Sequence, residues 1–231
     1  MEAIKKIDIT ALNEESLNSG MKSIISLAYR TWGGDLGMTT AFGYSGLVIL
    51  HHLYKMNIPI DIYFIDTGFH FPQTLNFAKE LQERWDLNLN IIRPQQELQD
   101  YVSIAMGSEP YKNNANLCCH YFKVGPLLRI LPEKAAWISG LRRDQTKSRE
   151  HIKNFEIDPR GTLKVHPLAY YTRKDLWKYI TENNLPYHPL HDKGYASIGC
   201  APCTSQIFND NNEREGRWKD SSKLECGLHI F

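Results

Sequence analysis

The chain has no long hydrophobic run, no excess of either charge, no internal repeat and no low-complexity stretch. Apolar runs such as Leu47-Val48-Ile49-Leu50 fall far short of the roughly 20 residues that a membrane span requires. No membrane association is therefore expected. The segment Met1-Glu2-Ala3-Ile4-Lys5-Lys6 lacks the apolar stretch of a secretory signal. The expected compartment is the cytoplasm, where thiols stay reduced. Lys and Arg number 27 against 26 Asp and Glu, a net charge of +1. Such a balance gives no bulk attraction to nucleic acid or anionic lipid, so an anionic ligand must be held by locally clustered cations. Cysteine is scarce and odd in number, at five. In a reducing compartment that argues against a disulfide framework and for metal binding or catalysis. With 231 residues, 42% of them hydrophobic and 23% charged, the composition is that of an ordinary globular protein with a proper core.

The pattern along the chain alternates strand, turn and helix. Leu17, Met21, Ile24, Leu27 and Ala28 give residues Asn13 to Trp32 the spacing of an amphipathic helix. Met38 to Phe42 reads as a buried strand that runs through Gly43 into helical spacing from Leu47 to Met56. Ile60 to Ile65 is a second strand, cut by Asp66-Thr67-Gly68, after which Pro72 opens a helix with Leu75, Ala78, Leu81 and Trp85 on one side. Asn88 to Ile92 and Ala135 to Ile138 read as further strands, and Val165 to Ala169 as a fifth. Thr172-Arg173-Lys174-Asp175 has capping-box spacing ahead of Leu176, Tyr179 and Ile180. The expected fold is α/β, a parallel twisted sheet with helices on both faces. From about residue 205 to 231 the chain is polar and without core periodicity. It reads as a mobile C-terminal arm of a single domain.

The cysteines divide into a tandem pair, Cys118-Cys119, a spaced pair, Cys200-Ala201-Pro202-Cys203, and the single Cys226 on the arm. Thiolates suit zinc or an iron–sulfur cluster. Adjacent cysteines do not fit the spaced pairs of a structural zinc site, so a four-thiolate cluster matches better. The plain alternative is a set of separate buried cysteines behaving as small apolar residues. Cys226 is then a spare thiol. Lys223, His229 or a clamped arginine could raise its thiolate fraction. Phe42-Gly43-Tyr44-Ser45-Gly46 lies where a strand meets a helix N-terminus, which favours phosphate or sulfate. It could share one crevice with Asp66-Thr67-Gly68 at the end of the neighbouring strand. Gly140 to Arg149 packs Arg142, Arg143, Lys147 and Arg149 into ten residues, and Arg214 and Arg217 lie on the arm. Such side chains can clamp phosphate, the plain alternative being a solvated loop. For His51, His52, His166 and His188 structural or surface roles are the better reading.

Taken in order, these segments resemble the assimilatory adenylyl-sulfate (APS) reductases of the PAPS/APS reductase family. The resemblance rests on Phe42-Gly43, Asp66-Thr67-Gly68 with Phe71-Pro72-Gln73-Thr74, Cys118-Cys119 followed by Lys123, and Gly140 to Gln145. It continues through Cys200-Ala201-Pro202-Cys203, Arg214-Glu215-Gly216-Arg217-Trp218 and Glu225-Cys226-Gly227-Leu228-His229. It implies an adenine nucleotide α-hydrolase-like fold, similar to the ATP pyrophosphatases. It also implies that Cys118, Cys119, Cys200 and Cys203 ligate a 4Fe-4S cluster, an arrangement that accompanies APS use in the family. Cys226 would attack the sulfur of APS, releasing AMP, and the S-sulfocysteine would be resolved by thioredoxin or a glutaredoxin-like reductant to give sulfite. Lys123 would neutralise the sulfonyl oxygens, with Arg142, Arg149, Arg214 and Arg217 on the phosphosulfate and Thr67 and Gly140 on the nucleotide. His229 would support Cys226. The implied partners are a small nucleotide and the reductant, with no nucleic acid and self-association left open.

The chain departs from the family where many members carry acidic residues and it has Ser45-Gly46. The stretch between Arg217 and Cys226 is short for the family. It also lacks the Ser-Gly-Gly-x-Asp-Ser loop of ATP pyrophosphatases, which argues against ATP cleavage. PAPS reduction, alone or alongside APS, is the near alternative. An ATP-dependent sulfur-transfer enzyme on the same fold and a zinc-stabilised nucleotide-binding module are more distant ones.

Overall fold

The computed structural model describes residues 7–208, 212–219, 223 and 225–228. His229 lies outside the described residues. Where one amphipathic helix is expected over Asn13 to Trp32, two form, α1 (Ile9–Ser16) and α2 (Met21–Trp32). The Asp8 carboxylate caps α1 by accepting from the N–H groups of Thr10 and Ala11. Extended backbone at Gly20 starts α2 afresh, and Leu17, counted as apolar face, is 60% exposed in the break.

β1 (Leu36–Thr39) leads into α3 (Tyr44–Lys55), and β2 (Asp61–Ile65) into α4 (Pro72–Trp85). Pro72 sits at the first turn of α4, where its missing N–H costs nothing. Phe77, Ala78, Leu81 and Trp85 are buried, whereas Leu75 is exposed. Then come β3 (Leu89–Ile92), α5 (Gln96–Met106) and the short helices α6 (Pro110–Asn113) and α7 (Ala115–Cys119). One π turn, His120–Val124, joins α7 to α8 (Gly125–Ile130). β4 (Ala136–Ile138), β5 (Phe155–Ile157), β6 (Leu163–Val165) and α9 (Arg173–Glu182) complete the order. The capping box at the start of α9 forms as its spacing predicts, between Thr172 and Asp175.

The sheet runs β3-β2-β1-β4-β6-β5. Four pairings are parallel, and β5 pairs antiparallel with β6. The sequence reading omits β5 because three residues carry no measurable periodicity. It also sets the last strand too late, since β6 ends at Val165 ahead of Pro167, which cannot donate to a ladder. Alternation sorts the strand residues onto two faces. Leu36, Met38, Ile62, Phe64, Ala136 and Ile138 join the large core with α2, α3, α4 and α9. Tyr63, Ile65 and Trp137 face the other way, onto Leu127, Ile130 and Leu131 of the α8 segment. The strand order reverses direction between β1 and β4, and an open sheet presents its binding crevice there, outside the carboxyl ends of the strands.

Candidate active site

A cavity of about 220 Å³ opens at that crevice. Thr39 and Thr40 at the end of β1, Ile65 of β2 and Ser139-Gly140 after β4 line it, with Gly43 to Gly46 at the start of α3. The first N–H groups of α3 have no side-chain cap, which suits an anion. At Gly140 a Cβ would stand 3.1 Å from that of Ser45, so a side chain there would press the β4 exit away from the α3 turn. The turn is entered through Phe42 at φ +56°, a strained conformation for a bulky residue.

Cys226, Lys123, Arg149, Arg214 and Arg217 all line this one cavity. Lys123 sits in the π turn four residues after Cys119, the kind of one-residue bulge that re-aims a helix face. Burial opposes its charge, but the neighbouring Cys200, Cys226 and Cys119 more than restore it and hold the ammonium above the ordinary lysine range. Arg217 lies against Gly199, where a Cβ would come within 2.4 Å of the guanidinium. Burial, then Arg214, lowers the Arg217 pKa from the ordinary value.

The two cysteine pairs come together across 80 intervening residues. Ala201 N–H donates to Phe69 C=O at 2.7 Å, and His70 bridges Cys200, so the loop after β2 holds the second pair at the sheet end. Cys118, Cys119, Cys200 and Cys203 line one small cavity with Thr67, Phe69, Tyr111, Phe122, Pro202 and Lys123. Burial pushes the Cys118 thiol up to about 12, with Cys200 and Cys203 adding to the shift. Burial also raises Cys203. Cys119 keeps its proton and donates to Cys226, whose pKa falls well below the usual thiol value. Burial opposes that fall, while Lys123, the Leu228 N–H and Arg217 assist it. Among the described residues no three His, Cys, Asp or Glu side chains converge on the position of one metal ion.

Two expected contacts lie elsewhere. Arg142 does not line the cavity. It is wholly buried behind it and donates to Asp144 at 2.8 Å, Ser45 at 2.7 Å and Glu213 at 2.9 Å. Its charge is taken up inside the protein and braces the α3 turn against the arm. Thr67 lies on the cysteine side, with Oγ1 3.2 Å from Cys200 Sγ. His51, His52, His166 and His188 are not among the residues that line the cavity. His70 and His191 do line it. His70 is held neutral by burial. Its Nε2 meets Ile65 C=O at 3.0 Å, which leaves Nδ1 without a partner.

Two carboxylates carry weight that the sequence did not assign: Glu213 stands outside every motif, and Glu225 appeared only as the residue before Cys226. Glu213 receives Arg142 and the Tyr44 hydroxyl. Glu225, directly before Cys226, accepts from Arg149 at 2.6 Å and Arg214 at 3.2 Å. Neither pairing could be read from local spacing, because each carboxylate meets partners from distant segments.

A search of protein families matches residues 35–206 to the phosphoadenosine phosphosulfate reductase domain. The chain is 39% identical over 227 residues to an adenosine 5′-phosphosulfate reductase of Bacillus mycoides, covering 97% of each. It is 40% identical over 223 residues to one of Salinibacter ruber, covering 96% of this chain and 88% of that one. Among solved structures, the phosphoadenylyl-sulfate (PAPS) reductase of Candida auris, in a phosphate complex, superposes with a TM-score of 0.75 at 31% identity, over 86% of this chain and 96% of that one. Yeast FAD synthetase, at 19% identity and a TM-score of 0.57, shares the fold alone. The crevice at the β1–β4 switch point, the two cysteine pairs and the full-length similarity together establish that this chain belongs to the phosphoadenosine phosphosulfate reductase family.

Proposed function

We propose that the protein reduces adenylyl sulfate to sulfite and AMP in assimilatory sulfate reduction, with Cys226 as nucleophile. The observation that carries the reading is the convergence of Cys226, Lys123, Arg149, Arg214 and Arg217 on one cavity at the sheet's switch point. The bacterial relatives at 39–40% identity bear the name of that activity.

The uncapped start of α3 and the arginines bind the phosphosulfate, and Lys123 balances charge on the sulfonyl oxygens. The Cys226 thiolate attacks sulfur. An S–S bond forms, the bond from sulfur to the bridging oxygen breaks, and that oxygen leaves with its electron pair on AMP. A thiolate of a thioredoxin-type dithiol then attacks Cys226 Sγ and expels sulfite. Its second thiol resolves the mixed disulfide, so the dithiol is oxidised and Cys226 returns to the thiol level. Gly140 serves close approach to the nucleotide. Arg142 acts from behind the cavity by fixing Ser45, and Thr67 acts on the cysteine side.

Cys118, Cys119, Cys200 and Cys203 suit a 4Fe-4S cluster. Four thiols lining one cavity, one pair of them adjacent in sequence, fit a polynuclear group better than the spaced pairs of a zinc site. Thr67 and Lys123 supply the outer hydrogen bond and counter-charge that tune such a group. A cluster held by these four cysteines would take them as thiolates. Cys119 would then have no thiol proton to share with Cys226, and Lys123, the Leu228 N–H and Arg217 would remain to stabilise the nucleophile.

The test is incubation of anaerobically purified protein with sulfur-35-labelled APS without reductant. The label appears on Cys226 and a reduced thioredoxin releases it as sulfite. Label retained after Cys226→Ser would remove the nucleophile assignment, and a strong preference for PAPS in competition would move the substrate to its 3′-phosphorylated form.

A further inference from the structure

We propose that Arg160, on the β5–β6 turn and outside the cavity, is a positioning residue for the Cys226 thiol. This rests on the reading of Cys226 as nucleophile. In-line attack on sulfur demands tight alignment, and a misplacement of about 1 Å can cost roughly a hundredfold in rate. Yet residues 225–228 form only a bend and a turn, with no strand or helix to hold them.

The structure anchors them from both sides. Before the thiol, the Glu225 carboxylate accepts from Arg149, Arg214, Thr146 at 2.9 Å and Ser148 at 3.2 Å. After it, the Arg160 guanidinium donates to the carbonyls of Gly227 at 2.6 Å and Leu228 at 3.1 Å. The Leu228 side chain meanwhile packs on the apolar cluster of Tyr63, Ile65 and Trp137. A planar guanidinium engages two successive carbonyls at once, which fixes the direction of the chain as well as its distance.

Arg160 is itself held firmly. Asp158 Oδ1 accepts from the N–H groups of Arg160 at 2.9 Å and Thr162 at 3.0 Å. Asp158 and Thr162 pair through their backbones, and Gly161 turns at φ +78°. Pro159 restricts the same turn. The Arg160 bonds run to backbone atoms, so they act on the position of the chain. Arg160 does not line the cavity, whereas the Arg149 and Arg214 partners of Glu225 do. Arg160 therefore separates arm placement from substrate binding.

The experiment compares wild type, Arg160→Met and Arg160→Lys as cluster-loaded, anaerobic proteins. Single-turnover S-sulfonation of Cys226 by saturating APS is followed by mass spectrometry. APS affinity is measured in a Cys226→Ser background, and hydrogen exchange is read on the peptide spanning Cys226. Arg160→Met is expected to slow S-sulfonation at least about tenfold while APS affinity stays within about twofold, as positioning without binding requires. Protection of the Cys226 peptide falls, and Arg160→Lys recovers part of both losses. An S-sulfonation rate unchanged by Arg160→Met would overturn the proposal. So would a slowing matched by equal loss of APS affinity, or unchanged protection of the arm. Absence of sulfonate on wild-type Cys226 would instead remove the nucleophile reading, and the exchange comparison alone would then decide whether Arg160 holds the arm.

Discussion

Replacing Glu213 by alanine removes one member of a buried ion pair and leaves its partner behind. Arg142 is 0% exposed, Glu213 is 8% exposed, and their N–O distance is 2.9 Å. Removing one partner of such a pair costs about 3–5 kcal/mol, because the remaining charge stays buried. Arg142 retains Asp144, which is 30% exposed, so the lower end, about 3 kcal/mol, is expected. The Tyr44 hydroxyl, which also donates to Glu213, loses its acceptor as well. For a chain of this size each kcal/mol moves the midpoint by about 2–4 °C, so Tm should fall roughly 6–12 °C. Thermal and urea unfolding of Glu213→Ala, Arg142→Met and the double variant form a cycle. A coupling of about 2 kcal/mol or more is expected, with the double variant less damaged than the singles predict. A loss below about 1 kcal/mol for Glu213→Ala, the scale of an exposed pair, would refute the reasoning. Additive singles would do the same and would return Arg142 to the role of a free anion clamp.

Lys164, buried on β6, has its pKa lowered to about 8 by burial, with Asp158 opposing the shift. The unfolded chain binds that proton more tightly between about pH 8 and 10.4, so stability should rise with pH across this window, and below pH 8 the buried ammonium costs up to about 3 kcal/mol. Lys164→Met should flatten that rise and, after loss of the Asp158 pairing, stabilise the protein at pH 7 by about 1–2 kcal/mol; urea midpoints at pH 7, 8.5 and 9.5 decide. Cys118→Ser and Cys203→Ser should each deplete iron and acid-labile sulfide, and retention of both at wild-type levels would exclude these ligands. Lys123→Met should reduce single-turnover S-sulfonation by about a hundredfold, some 2.7 kcal/mol of transition-state stabilisation; an unchanged rate would take Lys123 out of the reaction. Thr172→Ala should cost about 1 kcal/mol by removing the α9 cap, read as a small fall in Tm with unchanged activity.

Where the sequence reading succeeded, short-range chemistry dictates the outcome. Pro72 and the Thr172 capping box mark helix starts because caps act within four residues. Strands β1 to β4 were legible because buried parallel strands are short apolar runs between turns. The reading failed where neighbours distant in sequence decide. Leu17 belongs to a helical pattern yet ends exposed, because Gly20 restarts the helix. β5 exists only by pairing with β6.

The sequence by itself determined the division of five cysteines into two pairs and one, the family, and the α/β class, since these rest on residue identity and local spacing. Only the tertiary structure decided which cations face the cavity. Arg142 and Arg149 lie seven residues apart in one basic run, yet one is sealed against Glu213 behind the cavity, and the other, paired with Glu225, lines it. Charge type can be read from a sequence, but which carboxylate meets a cation, and whether the pair faces the cavity, depends on the segments the fold brings together. The same is true of Cys226. Its thiol is evident in the chain, but its place in the cavity depends on Arg160, Glu225 and Leu228 meeting partners far away in sequence.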